Sequence, residues 1–196
     1  MNVNECYCNG AFLLQDEIKK SNHSWYVERK KGQSLNIYEL GVVAFLASGV
    51  VSIYNKKTDL LIVEFQAPCI IGLLALKYPE ESFYVVTKTT CQIHSIKLED
   101  VRKIIVDKKL WGAVFNIISA HLYHYTKIEC IFNKKSAMDI VLESINYINE
   151  LSPGSRKNIS LYNFILSRCT MSRSAIYNEI KKLGLEKTII NRGIIK

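Results

Sequence analysis

The side chains of this 196-residue chain best suited to recognition chemistry gather in one stretch, "RCTMSRSAIYNEIKKLG", from Arg168 to Gly184. Arg173 carries a planar fork of N–H donors that matches the two acceptors on a guanine edge, and Asn178 carries the donor and acceptor that match adenine. Ser172, Ser174 and Tyr177 add hydroxyls within one helical turn of them. Lys181 and Lys182 follow one turn later and suit phosphate, which they would neutralise without reading sequence. This is the chemistry of binding, not of bond cleavage. A Gly-rich nucleotide loop and an activated-nucleophile arrangement are both missing from the sequence.

The order of residues explains how such a set would be held. Ser172 is a good N-cap, Ala175 is small enough for close packing, and Ile176, Ile180 and Leu183 recur at i, i+4 and i+7 to form a buried stripe. That leaves Arg173, Ser174, Tyr177 and Asn178 on the open side, and Gly184 closes the helix. A helix, "SLYNFILSRC", precedes the turn, and "KTIINRGIIK" follows as two β runs around Asn191-Arg192-Gly193, with Arg192 at the tip of a hairpin. Alone, a basic helix favours a solvated face over a reading helix. Charge distribution favours the second. Residues 151–196 hold nine Lys/Arg against two acids, whereas residues 1–150 hold 17 against 16, out of a net charge of +8 and a pI near 9.1. Three helices and a hairpin in a basic segment predict a winged helix-turn-helix.

Ahead of it lies β-rich sequence. From about Ser24 to Lys97, eight short runs separated by turn signals ("WYVER", "SLNIYEL", "VVAFLA", "VVSIYN", "LLIVEF", "CIIGLLAL", "FYVVTKTT" and "CQIHSI") predict a β-sandwich, jelly roll or small barrel. The longest apolar run, Leu40 to Ile53, is broken at Ser48-Gly49, is too short to span a bilayer, and reads as two strands joined by a tight turn. Residues 1–20 lack a sustained period, with "AFLLQDEIKK" a short helix at most. "KLEDVRKIIVDK" opens helical sequence with Leu98, Val101, Ile104 and Ile105 on one face. In the long stretch after it, Trp111, Phe115, Ile118, Leu122 and Tyr125 step by 4, 3, 4, 3 as a heptad-like seam. That seam either packs on the chain's own β region or meets a second copy. Leu110, Val114, Ile117, Tyr123 and Ile128 supply another apolar face for the β region, so the seam is expected to form a dimer. A further amphipathic helix, 138–151, buries Ile140, Val141, Ile145 and Ile148, and "SPGSRKN" ends it.

Metal and redox sites are not expected. The chain has four histidines, and only His94 falls among the strands, which argues against a metal-dependent β-barrel enzyme. His121 and His124, at i and i+3, can in principle share a metal but read as exposed or interfacial. Cys6 and Cys8 can in principle form a redox switch or weak metal site but, with nothing nearby to lower a thiol pKa, read as incidental, and Cys69, Cys91, Cys130 and Cys169 read as small hydrophobes. Six cysteines without framework spacing or a secretory signal fit a reducing compartment, so a cytoplasmic location is expected.

With these motifs assembled, the chain resembles the cyclic-AMP receptor protein/FNR family of bacterial transcription regulators from about residue 30 to the end. "FLASGVVSIY", "CIIGLLAL" and "TKTTCQIHSIKLEDVRKII" look like the family's sensor β-roll, "LWGAVFNIISAHLYHY" falls at its dimer helix, and "FILSRCTMSRSAIYNEIKKLG" resembles its helix-turn-helix. The "RxTxSRSxI" core is closest to a divergent enterobacterial branch with a degenerate sensor domain. The resemblance implies that Arg173 is the recognition-helix arginine, with Ser174 and Asn178 at the other base-reading places. It also implies a departure in the sensor. Where cyclic-nucleotide binders use a Gly-Glu pair for ribose, Gly72 is followed by Leu73, and the phosphate-binding arginine is replaced by Glu81 before Ser82. A carboxylate there would repel phosphate, so no cyclic-AMP binding is expected. The iron-sulfur branch needs four suitably placed cysteines, which Cys6 and Cys8 alone do not provide.

The expected architecture is therefore α+β: an N-terminal sensor-like β-roll (1–109), a dimerisation helix (110–132) and a C-terminal winged helix-turn-helix (133–196). The expected function is a homodimeric, sequence-specific DNA-binding regulator, not an enzyme, without cofactor or metal. Its expected partners are double-stranded DNA, a second copy of itself and RNA polymerase, and no membrane. The competing expectation is a protein-interaction module with a degenerate sensor domain and weak or no DNA binding.

Overall fold

The computed structural model describes residues 3–77, 82–151, 156, 159–186, 189–190 and 194–195, with side chains described from residue 11 onward apart from 190, 194 and 195. Two compact units divide the chain, Met1–Tyr125 and Thr126–Lys196.

The first unit is built on two four-stranded antiparallel sheets. Its elements are α1 (Val3–Lys20), β1 (Trp25–Arg29), β2 (Ser34–Leu35), β3 (Val42–Ser48), β4 (Val50–Asn55), β5 (Leu61–Gln66), β6 (Cys69–Ile71), a 3₁₀ turn (Leu73–Leu76), β7 (Phe83–Thr87), β8 (Cys91–Lys97), α2 (Leu98–Asp107) and α3 (Trp111–Phe132), whose residues from Thr126 onward belong to the second unit. One sheet has the order β1-β8-β3-β6 and the other β2-β7-β4-β5.

Strand parity sorts the core. In β3 the side chains of Val42, Ala44 and Leu46 join Val51, Ile53, Val63 and Val85 between the sheets, while Val43 and Phe45 point the other way. There they meet Ala11, Leu14 and Ile18 of α1, Val101 and Ile105 of α2, and Val114 and Ile117 of α3. The sheet containing β3 is thus covered on both faces, which is why "VVAFLA" is continuously apolar where an edge strand would alternate. β6 repeats the rule, with Ile70 on the helix side and Cys69 and Ile71 on the sheet side.

Three sequence expectations change here. Residues 3–20 form one helix, because Ala11, Leu14 and Ile18 at i, i+3 and i+7 provide a buried stripe that the polar N-terminal residues obscure in the sequence. Of "SLNIYEL", only Ser34–Leu35 is strand; the chain then turns, with Asn36 accepting from the Leu40 amide and Ile37 buried. The apolar run through Ser48-Gly49 does form two strands, β3 and β4, yet they join different sheets instead of pairing. Gly49 makes that crossing, with φ of 95° and a position where an added Cβ would lie 2.4 Å from the Thr90 carbonyl oxygen.

In the second unit the elements after α3 are α4 (Ala137–Glu150), α5 (Leu161–Leu166), α6 (Arg173–Lys182), β9 (Ile189–Ile190) and β10 (Ile194–Ile195). Ser136, Ser160 and Ser172 cap α4, α5 and α6, each accepting a hydrogen bond from the amide three residues on. One cluster binds the unit together: Ile128 and Ile131 of α3, Val141, Ile145 and Ile148 of α4, Leu161, Phe164 and Ile165 of α5, and Ile176 and Ile180 of α6. β9 and β10 pair antiparallel. The intervening turn, with Arg192, lies outside the described residues, as does most of "SPGSRKN".

Candidate nucleic-acid interface

α6 begins where the sequence places it. The Ser172 hydroxyl accepts from the Ala175 amide at 3.1 Å, and Ile176 and Ile180 are buried under the helix, with Leu183 packed at the margin. Ser172, Arg173, Ser174, Tyr177 and Asn178 are all exposed, as are Lys181 and Lys182. The two serines are not equivalent to free hydroxyls, since their Oγ atoms lie 3.0 Å apart and one donates a hydrogen bond to the other. Lys182 is held by Glu179, with Nζ 2.7 Å from the carboxylate. Lys181 carries its charge outward.

Two arginines near this face behave differently. The Arg168 guanidinium lies over the Phe164 ring at 4.3 Å and donates to the Phe164 carbonyl at 3.0 Å, closing the last turn of α5. Its charge, counted in the sequence as part of the basic segment, is a structural cap. Arg173 lies over the Tyr162 ring at 5.1 Å but is exposed. Burial raises the Tyr162 phenol above its ordinary pKa; the Arg173 charge opposes that shift and Tyr177 reinforces it. Sequence reasoning did not single out Tyr162. The contact joins residues eleven apart in different helices, and no local period marks it.

On α3 the seam residues divide. Trp111, Phe115 and Leu122 are exposed, with Phe115 the most so at 70%, while Ile118 and Tyr125 are half-buried. A strict 3.5-residue repeat drifts around a helix of 3.6 residues per turn, so alternate seam positions slide toward the buried side. Val114, Ile117 and Ile128 are buried as the second apolar face requires, but Tyr123 is exposed, on a different side of the helix from Trp111, Phe115 and Leu122. Cys130 is also exposed, unlike buried Cys69 and Cys91 and half-buried Cys169. The side chains of Cys6 and Cys8 lie outside the described residues.

The histidine pair is not exposed. His121 and His124 are half-buried, with the Phe65 ring of β5 4.1 Å from the His121 ring and 6.1 Å from that of His124. Burial, then the neighbouring His124, pushes His121 down to about 4. No group of three or more His, Cys, Asp or Glu gathers among the described residues. At the proposed ribose position, Gly72 has φ of 91° and Leu73 is buried in the cluster beneath α2. Glu81 lies outside the described residues.

No protein-family model matches this chain, and no curated protein matches it. Solved structures do. The c-di-GMP responsive global regulator CLP of Xanthomonas campestris is similar with a TM-score of 0.69 at 15% identity, covering 95% of this chain and 97% of that one. A cyclic nucleotide-binding domain containing protein from Listeria monocytogenes EGD-e gives 0.67 at 11% identity, over 94% of each chain. A protein from Eubacterium rectale described as a transcriptional regulator of the CRP/FNR family gives 0.66 at 14% identity, over 93% of this chain and 89% of that one. The fold is therefore that of CRP/FNR-type regulators, antiparallel β-sheets with helices, as the sequence resemblance implied. No helix among the described residues is long and apolar enough to cross a membrane.

Proposed function

We propose that this chain is a sequence-specific DNA-binding transcription regulator of the CRP/FNR type, belonging to a branch with a degenerate sensor. It acts as a homodimer through α3 and places α6 of each copy in successive major grooves. α5, the turn and α6 form the helix-turn-helix, and β9–β10 the wing. One observation carries the reading: four hydrogen-bonding side chains, Arg173, Ser174, Tyr177 and Asn178, are exposed on a serine-capped helix whose Ile176 and Ile180 are buried. Trp111, Phe115 and Leu122 support dimerisation, since three large apolar side chains exposed along one helix are what a second copy would cover. The domain limits follow as 1–109, 110–132 and 133–196. Buried Leu73 in place of a ribose-binding carboxylate supports insensitivity to cyclic AMP.

Selection from a randomised duplex library tests the proposal. The wild-type chain should enrich a two-fold-related pair of half-sites about one helical turn apart. Arg173→Ala should abolish that enrichment while the protein still sediments as a dimer. Undiminished affinity of Arg173→Ala for the selected site would sink the assignment.

A further inference from the structure

An exposed arginine at the start of a helix has many rotamers, and reading a guanine edge requires one plane and one direction. Fixing that geometry on binding costs conformational entropy, which falls if the free protein already holds the fork in place. In this chain a ring from the preceding helix is in position to do so. Arg173 Cζ lies 5.1 Å from the centroid of Tyr162, inside the roughly 6 Å limit for an attractive cation–π contact. The ring is itself fixed. Tyr162 is half-buried, packs on the cluster built around Phe164 and Ile176, and follows Ser160, which caps α5 through the Asn163 amide.

We propose that Tyr162 is the positioning residue for base reading: its ring is a platform that orients the Arg173 guanidinium before DNA arrives. The proposal rests on the DNA-binding reading above and adds a residue to it. Arg168 provides an internal contrast. It uses the same arginine-on-ring chemistry over Phe164 but is half-buried and bonds a backbone carbonyl, so there the stacking serves the turn. Arg173 has the ring beneath it and an exposed position above. The Tyr162 ring therefore affects discrimination at the base pair that Arg173 contacts and leaves contacts to phosphate alone.

The test compares Tyr162→Phe, Tyr162→Trp and Tyr162→Leu in duplex selection and then in anisotropy titrations. These use the enriched site and the same site with the Arg173-dependent guanine pair replaced. Phe and Trp keep the platform and should keep the wild-type ratio between the two duplexes. Leu fills similar space without a π face and should lower the ratio about fivefold, with an unchanged slope of affinity against salt. In an Arg173→Ala background the Leu substitution should have no further effect on the ratio. Equal ratios for wild type and Tyr162→Leu would overturn the proposal. So would a loss in Tyr162→Phe as large as in Leu, because the hydroxyl and not the ring would then be responsible. If Tyr162→Leu fails to fold, the Phe and Trp variants still decide, since a lowered ratio in both overturns the platform. Failure of the wild-type chain to enrich any sequence would instead remove the DNA-binding reading, and this inference with it.

Discussion

Leu73 and Arg173 hold matching places in the two units. Each is the first residue of a helical turn, immediately after its capping residue, Gly72 in one case and Ser172 in the other. The family resemblance puts an expected recognition position at each, ribose in the first unit and a base edge in the second. Their fates are opposite. Leu73 is 4% exposed inside the cluster under α2, whereas Arg173 is on the surface. The first unit buries its helix start in the core, and the second leaves its helix start exposed. Charge follows the same division, with +2 over residues 1–125 and +6 over 126–196.

The sharpest way to break that comparison is to restore the carboxylate. Leu73→Glu places an ionisable group among Val101, Ile105 and Ile70, with desolvation and no cation supplied. We expect a loss of more than about 3 kcal/mol of stability in urea unfolding and no heat of binding on titration with cyclic AMP. A stable Leu73→Glu protein that binds cyclic AMP at micromolar concentration would mean that the first unit is a closed sensor and not a lost one.

A somewhat smaller effect separates the units by pH. His121 has its pKa pushed down to about 4 from 6.5 by burial, so the folded chain holds it neutral while the unfolded chain protonates first. Above pH 6.5 it contributes no pH dependence. Between pH 6.5 and 4 stability falls as the unfolded state binds the extra proton, by a total on the order of 3 kcal/mol. His121→Phe should flatten the urea midpoint over that window in the first unit, while melting of the second unit, followed separately by hydrogen exchange, keeps its wild-type profile. An unchanged slope in His121→Phe would show that the contact with Phe65 opens before the imidazole titrates.

What was legible in the sequence was whatever repeats locally. The sheets could be read because short β-rich runs bounded by turn signals, and the unbroken apolar run in β3, are written in consecutive residues. α6 could be read because a serine cap and an i, i+4 isoleucine pair fall within nine positions. α1 was largely missed, since its stripe is only Ala11, Leu14 and Ile18 and is set in polar sequence. The contacts of Phe65 with His121 and of Arg173 with Tyr162 leave no periodic trace. Each joins side chains whose proximity is created by the fold, and so the division of the basic residues into those held within the unit and those left exposed had to come from the structure.

That division also ranks the two lysines at the end of α6, which sequence alone treats as a pair. Lys182 is bound to Glu179 at 2.7 Å, so part of its charge is already answered within the helix, and an exposed pair of this kind is itself worth little to stability. Lys181 is exposed on the same turn. If each contacted one phosphate, removing either would lower the slope of log affinity against log salt by about 0.9. With Lys182 drawn toward Glu179, Lys181→Ala should show nearly that full change and weaken all duplexes alike, and Lys182→Ala should show clearly less. Equal slopes for the two variants would mean that the Glu179 pair opens on DNA. A Lys181→Ala effect confined to one sequence would move that lysine from the phosphate backbone to a base edge, and would add a fourth base-reading position to the three proposed for Arg173, Ser174 and Asn178.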